Sequence, residues 1–237
     1  LAIFSNEQTE NQAIALQIKT LLESDTNPSE IAILYHNHKD STDLIDILTR
    51  MQIPFHLHAG NDVLKDLQTT KLISLFEAIS DPNNNEQVIN SLFLDFIPVD
   101  KSDILKLSSL YSFSKSERRG ISFFSFMQST ENLQKLQLKN PKALIKFAEN
   151  LVEFRTYSQN LTLTSFFEKV IKESGFLSQL LESKNKITAL NRLNTVFNEI
   201  KSLSKINHDL KISEFLENLN LRRENRIKLN EIPLPEN

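Results

Sequence analysis

The hydrophobic period of this chain changes at Gly60 and does not change back. Upstream of that glycine, short apolar runs alternate with helical spacings. Residues 1–5 predict a short strand. Ala13, Ile14, Ile18, Leu21 and Leu22 then recur at the spacing of one helix face. Asn27-Pro28 breaks that helix. The uninterrupted apolar run over 31–35, Ile-Ala-Ile-Leu-Tyr, suits a strand covered on both faces, as in a parallel sheet. Asp40 and Ser41 are N-cap candidates for a helix with Leu44, Ile45, Ile47, Leu48 and Met51 on its apolar face. A last strand is expected over 53–58, with Pro54 near its start, where a missing N–H is tolerated. The order β-α-β-α-β implies parallel strands joined by right-handed crossovers.

Downstream of Gly60 the period is helical throughout. Leu72, Ile73, Leu75, Phe76 and Ile79 share a face that stops at Asp81-Pro82, and Val88, Ile89, Leu92 and Phe93 form the next. Ile104, Leu107 and Leu110 follow an Asp100/Ser102 cap. Further helices are expected over 121–128, 141–157, 163–174, 185–206 and 212–221. The helix at 141 opens on Asn140 as cap and Pro141 in the first position. No internal repeat is visible. The expected fold class is therefore α/β followed by mostly α. A partial parallel β-α-β layer occupies 1–62, a larger all-helical domain 63–228, and a polar, Pro-punctuated linker 229–237.

The 237 residues can bury a sizeable core. No apolar run approaches the ~20 residues of a membrane helix, and no basic-then-apolar leader opens the chain, so no membrane partner is expected. The absence of cysteine rules out disulfides and thiolate metal sites and fits a reducing cytoplasm. The net charge of −3 argues against a surface coated in basic charge. It is unevenly spread: residues 1–60 carry 8 Asp/Glu against 3 Lys/Arg, the remainder 22 against 24. A polyanion contact suits the second part better. Only Gly60, Gly120 and Gly175 are glycines, so neither a GxxxxGK[ST] loop nor a GxGxxG turn exists to cradle phosphates.

Two histidine pairs, His36/His38 and His56/His58, have i, i+2 spacing. On extended backbone each pair shares a face. Four imidazoles could bind zinc, yet no Asp, Glu or Cys stands beside them at ligand spacing. The letters His-Asn-His suggest a nuclease motif, but strand-helix-strand is the wrong order for its ββα-metal unit. Arg118-Arg119, inside "SKSERRG", could meet phosphate or a partner. "LRRENRIK" over 221–228 could brace another domain or touch DNA. Phe123, Phe124 and Phe126 crowd one short helix and read as core rather than a base-stacking platform.

The order of pieces resembles the middle of a superfamily 1A DNA helicase of the UvrD/PcrA/Rep type. The matching residues are Ala32-Ile33-Leu34-Tyr35, Ser41, Ile53-Pro54-Phe55, Gly60, "ISDPNNN" over 79–85, "ESGFLSQLLES" and "NRLNTVFNEI". Order and spacing carry the resemblance, through most of the chain. It implies that residues 1–62 are part of a RecA-like motor subdomain (2A) and 63–228 the helical insertion (2B), able to swivel. The whole protein would be an ATP-dependent 3′–5′ helicase using ATP and Mg2+, with no cofactor held by this piece. Its partners would be single-stranded DNA, single/double-strand junctions and the remaining motor domains. His36 and His38 stand where relatives carry arginine and asparagine toward DNA, and Thr42 replaces a further arginine. The nucleic-acid contacts so implied are His36, His38, Ser41 and Gly60, joined by Arg118 and Arg119 from the charge pattern; no catalytic residue is assigned. The family's glycine-bearing duplex hairpin is replaced by "FLDFIPVDKSDI", with Asp95, Asp100 and Asp103. The rival reading is a helical protein-interaction module with a small α/β cap and no nucleic acid.

Overall fold

The computed structural model describes residues 4, 6–35, 42–55, 62–113 and 120–231. The chain divides into two compact units, Leu1–Ala59 and Gly60–Asn237.

In the first unit, α1 (Glu7–Glu23) starts where the Asn6 side chain accepts the Thr9 N–H. It packs on α2 (Thr42–Arg50) through Ala15, Ile18, Leu44, Leu48 and Ile53. The expected parallel layer is absent: among the described residues no strand and no sheet form. Residues 31–35 follow a single 3-10 turn, Pro28–Glu30, and form no strand. Ile31 and Ile33 lean on the two helices, whereas Leu34 is 96% exposed. The physical reason is lateral. A strand's backbone groups need a neighbour in the ladder, and an apolar run reads as a buried strand only when both faces are covered. Here one face is covered, and no ladder forms among the described residues. Residues 53–55 likewise form no strand. Residues 1–3 and 5 of the first expected strand, with Asp40, His56 and His58, lie outside the described residues.

The second unit is helical. A 3-10 turn (Val63–Lys65) leads into α3 (Leu67–Ser80), α4 (Asn85–Leu92) and α5 (Lys101–Phe113). The short α6 (Phe123–Gln128) and α7 (Thr130–Gln134) precede the long α8 (Pro141–Asn160). Then come α9 (Leu163–Glu173), α10 (Phe176–Glu182), α11 (Lys186–Ile206) and α12 (Ile212–Glu224). Asn140 caps α8 by accepting the Ala143 N–H, with Pro141 at its start. Gly175, at φ 86°, makes the turn between α9 and α10, a left-handed backbone that residues with a Cβ avoid.

Leucines and phenylalanines make up most of this core, and its rings contact one another. Phe76 on α3 contacts Phe166 and Phe167 on α9 at 5.5 and 5.9 Å between ring centroids. Phe197 on α11 stacks on Phe167 at 5.3 Å. Phe123 and Phe126 set their edges against Tyr111 of α5 and are buried, as their crowding on one short helix predicts. No helix among the described residues is long and apolar enough to cross a membrane.

Candidate functional site

The most constrained polar site of the helical unit lies where its first and last segments meet. Asp62 and Asp66 are four residues apart, and each starts a turn. The Asp62 carboxylate accepts the Leu64 N–H at 3.2 Å and the Leu229 N–H at 3.2 Å. Val63 N–H donates to the Leu229 carbonyl at 2.8 Å. Asp62 and Asn230 thereby form an isolated antiparallel bridge. One oxygen of Asp66 caps α3, accepting from the N–H groups of Gln68 and Thr69 at 3.0 and 3.1 Å. Its other oxygen takes Nη1 of Arg192, which projects from α11. The Nε of Arg192 donates to Glu231 at 3.2 Å.

One guanidinium thus holds a carboxylate from each chain crossing. The two carboxylate side chains are only 11% and 16% exposed, so the charges interact with little screening by water. Burial works against the Arg192 charge, but the Glu231 hydrogen bond and the Asp66 charge outweigh it and push the pKa above its ordinary value. The site has no nucleophile and no titrating acid–base pair aimed at a cavity. What it can do is bind two segments of the same chain together.

The three aspartates of "FLDFIPVDKSDI" are engaged within the unit, though only Asp103 is buried. Asp95 meets Lys71 of α3 at 2.6 Å. Asp100 accepts the Ser102 N–H at 2.8 Å and Lys139 at 2.9 Å. The buried Asp103 accepts the backbone N–H groups of Lys139 and Asn140 at 2.9 and 2.8 Å, docking the start of α8 on α5. Several basic residues are also engaged within the unit. Lys135 pairs with Glu131 at 2.8 Å, and Lys106 donates to the Gln137 carbonyl. Arg222 of "LRRENRIK" pairs with Glu199 at 2.5 Å, bracing α12 on α11.

Between α3 and α12 runs an open groove of about 400 Å³, with Glu77, Asp81, Glu217 and Glu224 among its lining. Burial raises the Glu77 pKa and nearby Arg223 lowers it, leaving it above the ordinary carboxyl value. Four carboxylates repel phosphate, so this groove is no seat for a nucleic-acid backbone. Among the described residues no group of three or more His, Asp or Glu is placed to hold a metal.

The residues singled out from sequence, His36, His38, Ser41, Gly60, Arg118 and Arg119, all lie outside the described residues. Sequence reasoning missed Arg192, Asp66 and Glu231. Arg192 stands within "NRLNTVFNEI", a segment read only for its resemblance, and sits 126 residues from Asp66 and 39 from Glu231. The available signal was indirect. The two expected boundaries of the helical domain fall near 62 and 228, and an autonomous domain brings its ends together.

Two curated relatives are similar to this chain. The ATP-dependent DNA helicase PcrA of Leuconostoc citreum is 23% identical over 180 residues, covering 75% of this chain and 23% of that protein. An ATP-dependent helicase/nuclease protein of Lactococcus lactis subsp. cremoris is 23% identical over 177 residues, covering 72% of this chain and 14% of that protein. No family model matches the chain. The chain is distantly similar to ATP-dependent helicases, and the match spans less than a quarter of the length of either relative.

Proposed function

We propose that this chain is an internal part of an ATP-driven 3′–5′ DNA helicase, and that its helical unit is a domain inserted into the motor. The observation that carries this reading is the similarity to two helicases over about three-quarters of the chain. The junction at Asp62 and Leu229 supports the second half of it. An inserted domain must leave close to where it began, and this one bonds its first segment to its last.

ATP and Mg2+ belong to other parts of such a protein. With three glycines and no phosphate-cradling loop, these residues do not fit a nucleotide, and no step of hydrolysis runs through them. The work left to this piece is contact and regulation. In this reading His36, His38, Ser41 and Gly60 contact single-stranded DNA, and Arg118 and Arg119 meet phosphate at a single/double-strand junction. A histidine is mostly neutral near pH 7, so its hold on phosphate strengthens as the pH falls toward about 6.

The test uses the longer protein that carries this segment. It should hydrolyse ATP in response to single-stranded DNA and unwind a duplex with a 3′ tail, while the 237-residue chain alone hydrolyses none. Replacing His36 and His38 together by alanine should weaken single-strand binding and leave DNA-independent hydrolysis intact. A longer protein without DNA-stimulated hydrolysis sinks the helicase reading. Unchanged binding by the double variant from pH 6 to 8 removes the histidine contact alone.

A further inference from the structure

The polar junction divides its labour between backbone and side chain. The backbone link is short: one N–H to a carbonyl, Val63 to Leu229 at 2.8 Å, and one N–H to a carboxylate, Leu229 to Asp62 at 3.2 Å. An isolated two-stranded contact of this length is marginal by itself in water. Asp66 and Glu231 flank it, one from each crossing, and they carry like charge. Arg192 is bonded to both.

We propose that Arg192 is an electrostatic clasp. It neutralises Asp66 and Glu231 so that the first and last segments of the helical unit stay zipped, and the two segments open together when it lets go. Without the guanidinium, two partly buried carboxylates repel across the junction. The opening is at the edge of the core. Val63 and Leu229 border the same apolar cluster as Phe76, Phe166 and Phe167, but none of those rings takes part in the ion pairs, so the segments part while α3, α8 and α9 remain folded. The clasp is therefore a local latch at the place where the unit joins the rest of the chain. It stands on the geometry of residues 62–66, 192 and 229–231 and does not depend on the helicase reading.

Amide hydrogen exchange of the 237-residue chain tests it. Val63 and Leu229 should exchange in the parent at rates set by one common opening. Arg192→Met should speed both by about tenfold to a hundredfold, the loss expected for charge-assisted bonds. The Leu151 amide in the middle of α8 should not change. Adding Glu231→Gln to Arg192→Met should restore most of the protection at Val63 and Leu229, because it removes the repulsion. Three results would overturn the clasp: different opening of Val63 and Leu229 in the parent, equal acceleration of Leu151 in Arg192→Met, or no rescue by Glu231→Gln. A purely structural arginine moves the whole unit and is not rescued by neutralising its partner.

Discussion

The two units are built from similar apolar material and end with very different interiors. In the first, two helices share a core of five described side chains, while Leu16 and Leu34 stand 59% and 96% exposed. In the second, the helices converge on a continuous core in which Phe76, Phe123, Phe166, Phe167, Phe176 and Phe215 are almost wholly buried. A fully buried large apolar side chain contributes about 1.5–3 kcal/mol, against about 1–2 kcal/mol of backbone entropy for each ordered residue. A helix pair has one buried face per helix and cannot win by much. A many-helix body buries several faces at once and can. Layers, more than hydrophobic content, decide which unit is stable.

The largest test of that contrast is Phe76→Ala. Phe76 is 1% exposed and touches rings on α9. Its loss should cost the helical unit about 3–5 kcal/mol, read as a lower midpoint in urea unfolding. Leu48→Ala in the first unit should cost about 2–3 kcal/mol and move a separate, earlier transition. A single transition shifted equally by both variants would break the contrast.

Next comes Asp103, buried beneath α8. Asp103→Ala leaves the Lys139 and Asn140 N–H groups without their acceptor. The helical unit should lose about 2–3 kcal/mol with no change in the transition of the first unit. Asp103→Asn keeps one acceptor oxygen and should fall between. Equal stability of Asp103→Ala and parent would show that the α5–α8 seam is held by apolar packing alone.

The smallest effect is expected at Glu77. Its pKa is raised by burial, with Arg223 opposing. The folded state therefore binds this proton more tightly than the unfolded state, and ionised Glu77 detracts from stability at neutral pH. Glu77→Gln should raise the melting temperature of the helical unit slightly at pH 7. The gain should shrink as the pH falls to the ordinary carboxyl value of 4.5 and vanish below it. A gain that persists at pH 4 would assign the effect to something other than charge.

Much of the helical unit was legible in the sequence because its signals are local. Asn140 and Pro141 begin α8 within one turn, Asp81-Pro82 stops α3 at Ser80, and crowding marked Phe123 and Phe126 as core. The helices α7 and α10, of five and seven residues, are too short for a 3.6-residue period to establish itself. The missing phosphate loop was equally plain, since glycine is simply scarce. What failed is what needs a partner. The apolar run over 31–35 has the composition of a buried strand, yet a strand exists only where a ladder with another chain segment forms, and none is present among the described residues.

The sequence by itself thus determined the helices, their caps and the exclusion of a nucleotide cradle, because each follows from residues within a turn or two of one another. The tertiary structure alone decided that Leu34 faces outward, that Asp103 holds the start of α8, and that Arg192 joins Asp66 to Glu231. Those outcomes depend on groups 37 to 126 residues apart, or on a sheet that does not form among the described residues. A carboxylate leaves no periodic trace of the distant donor it will meet; only packing the helices brings the two within reach.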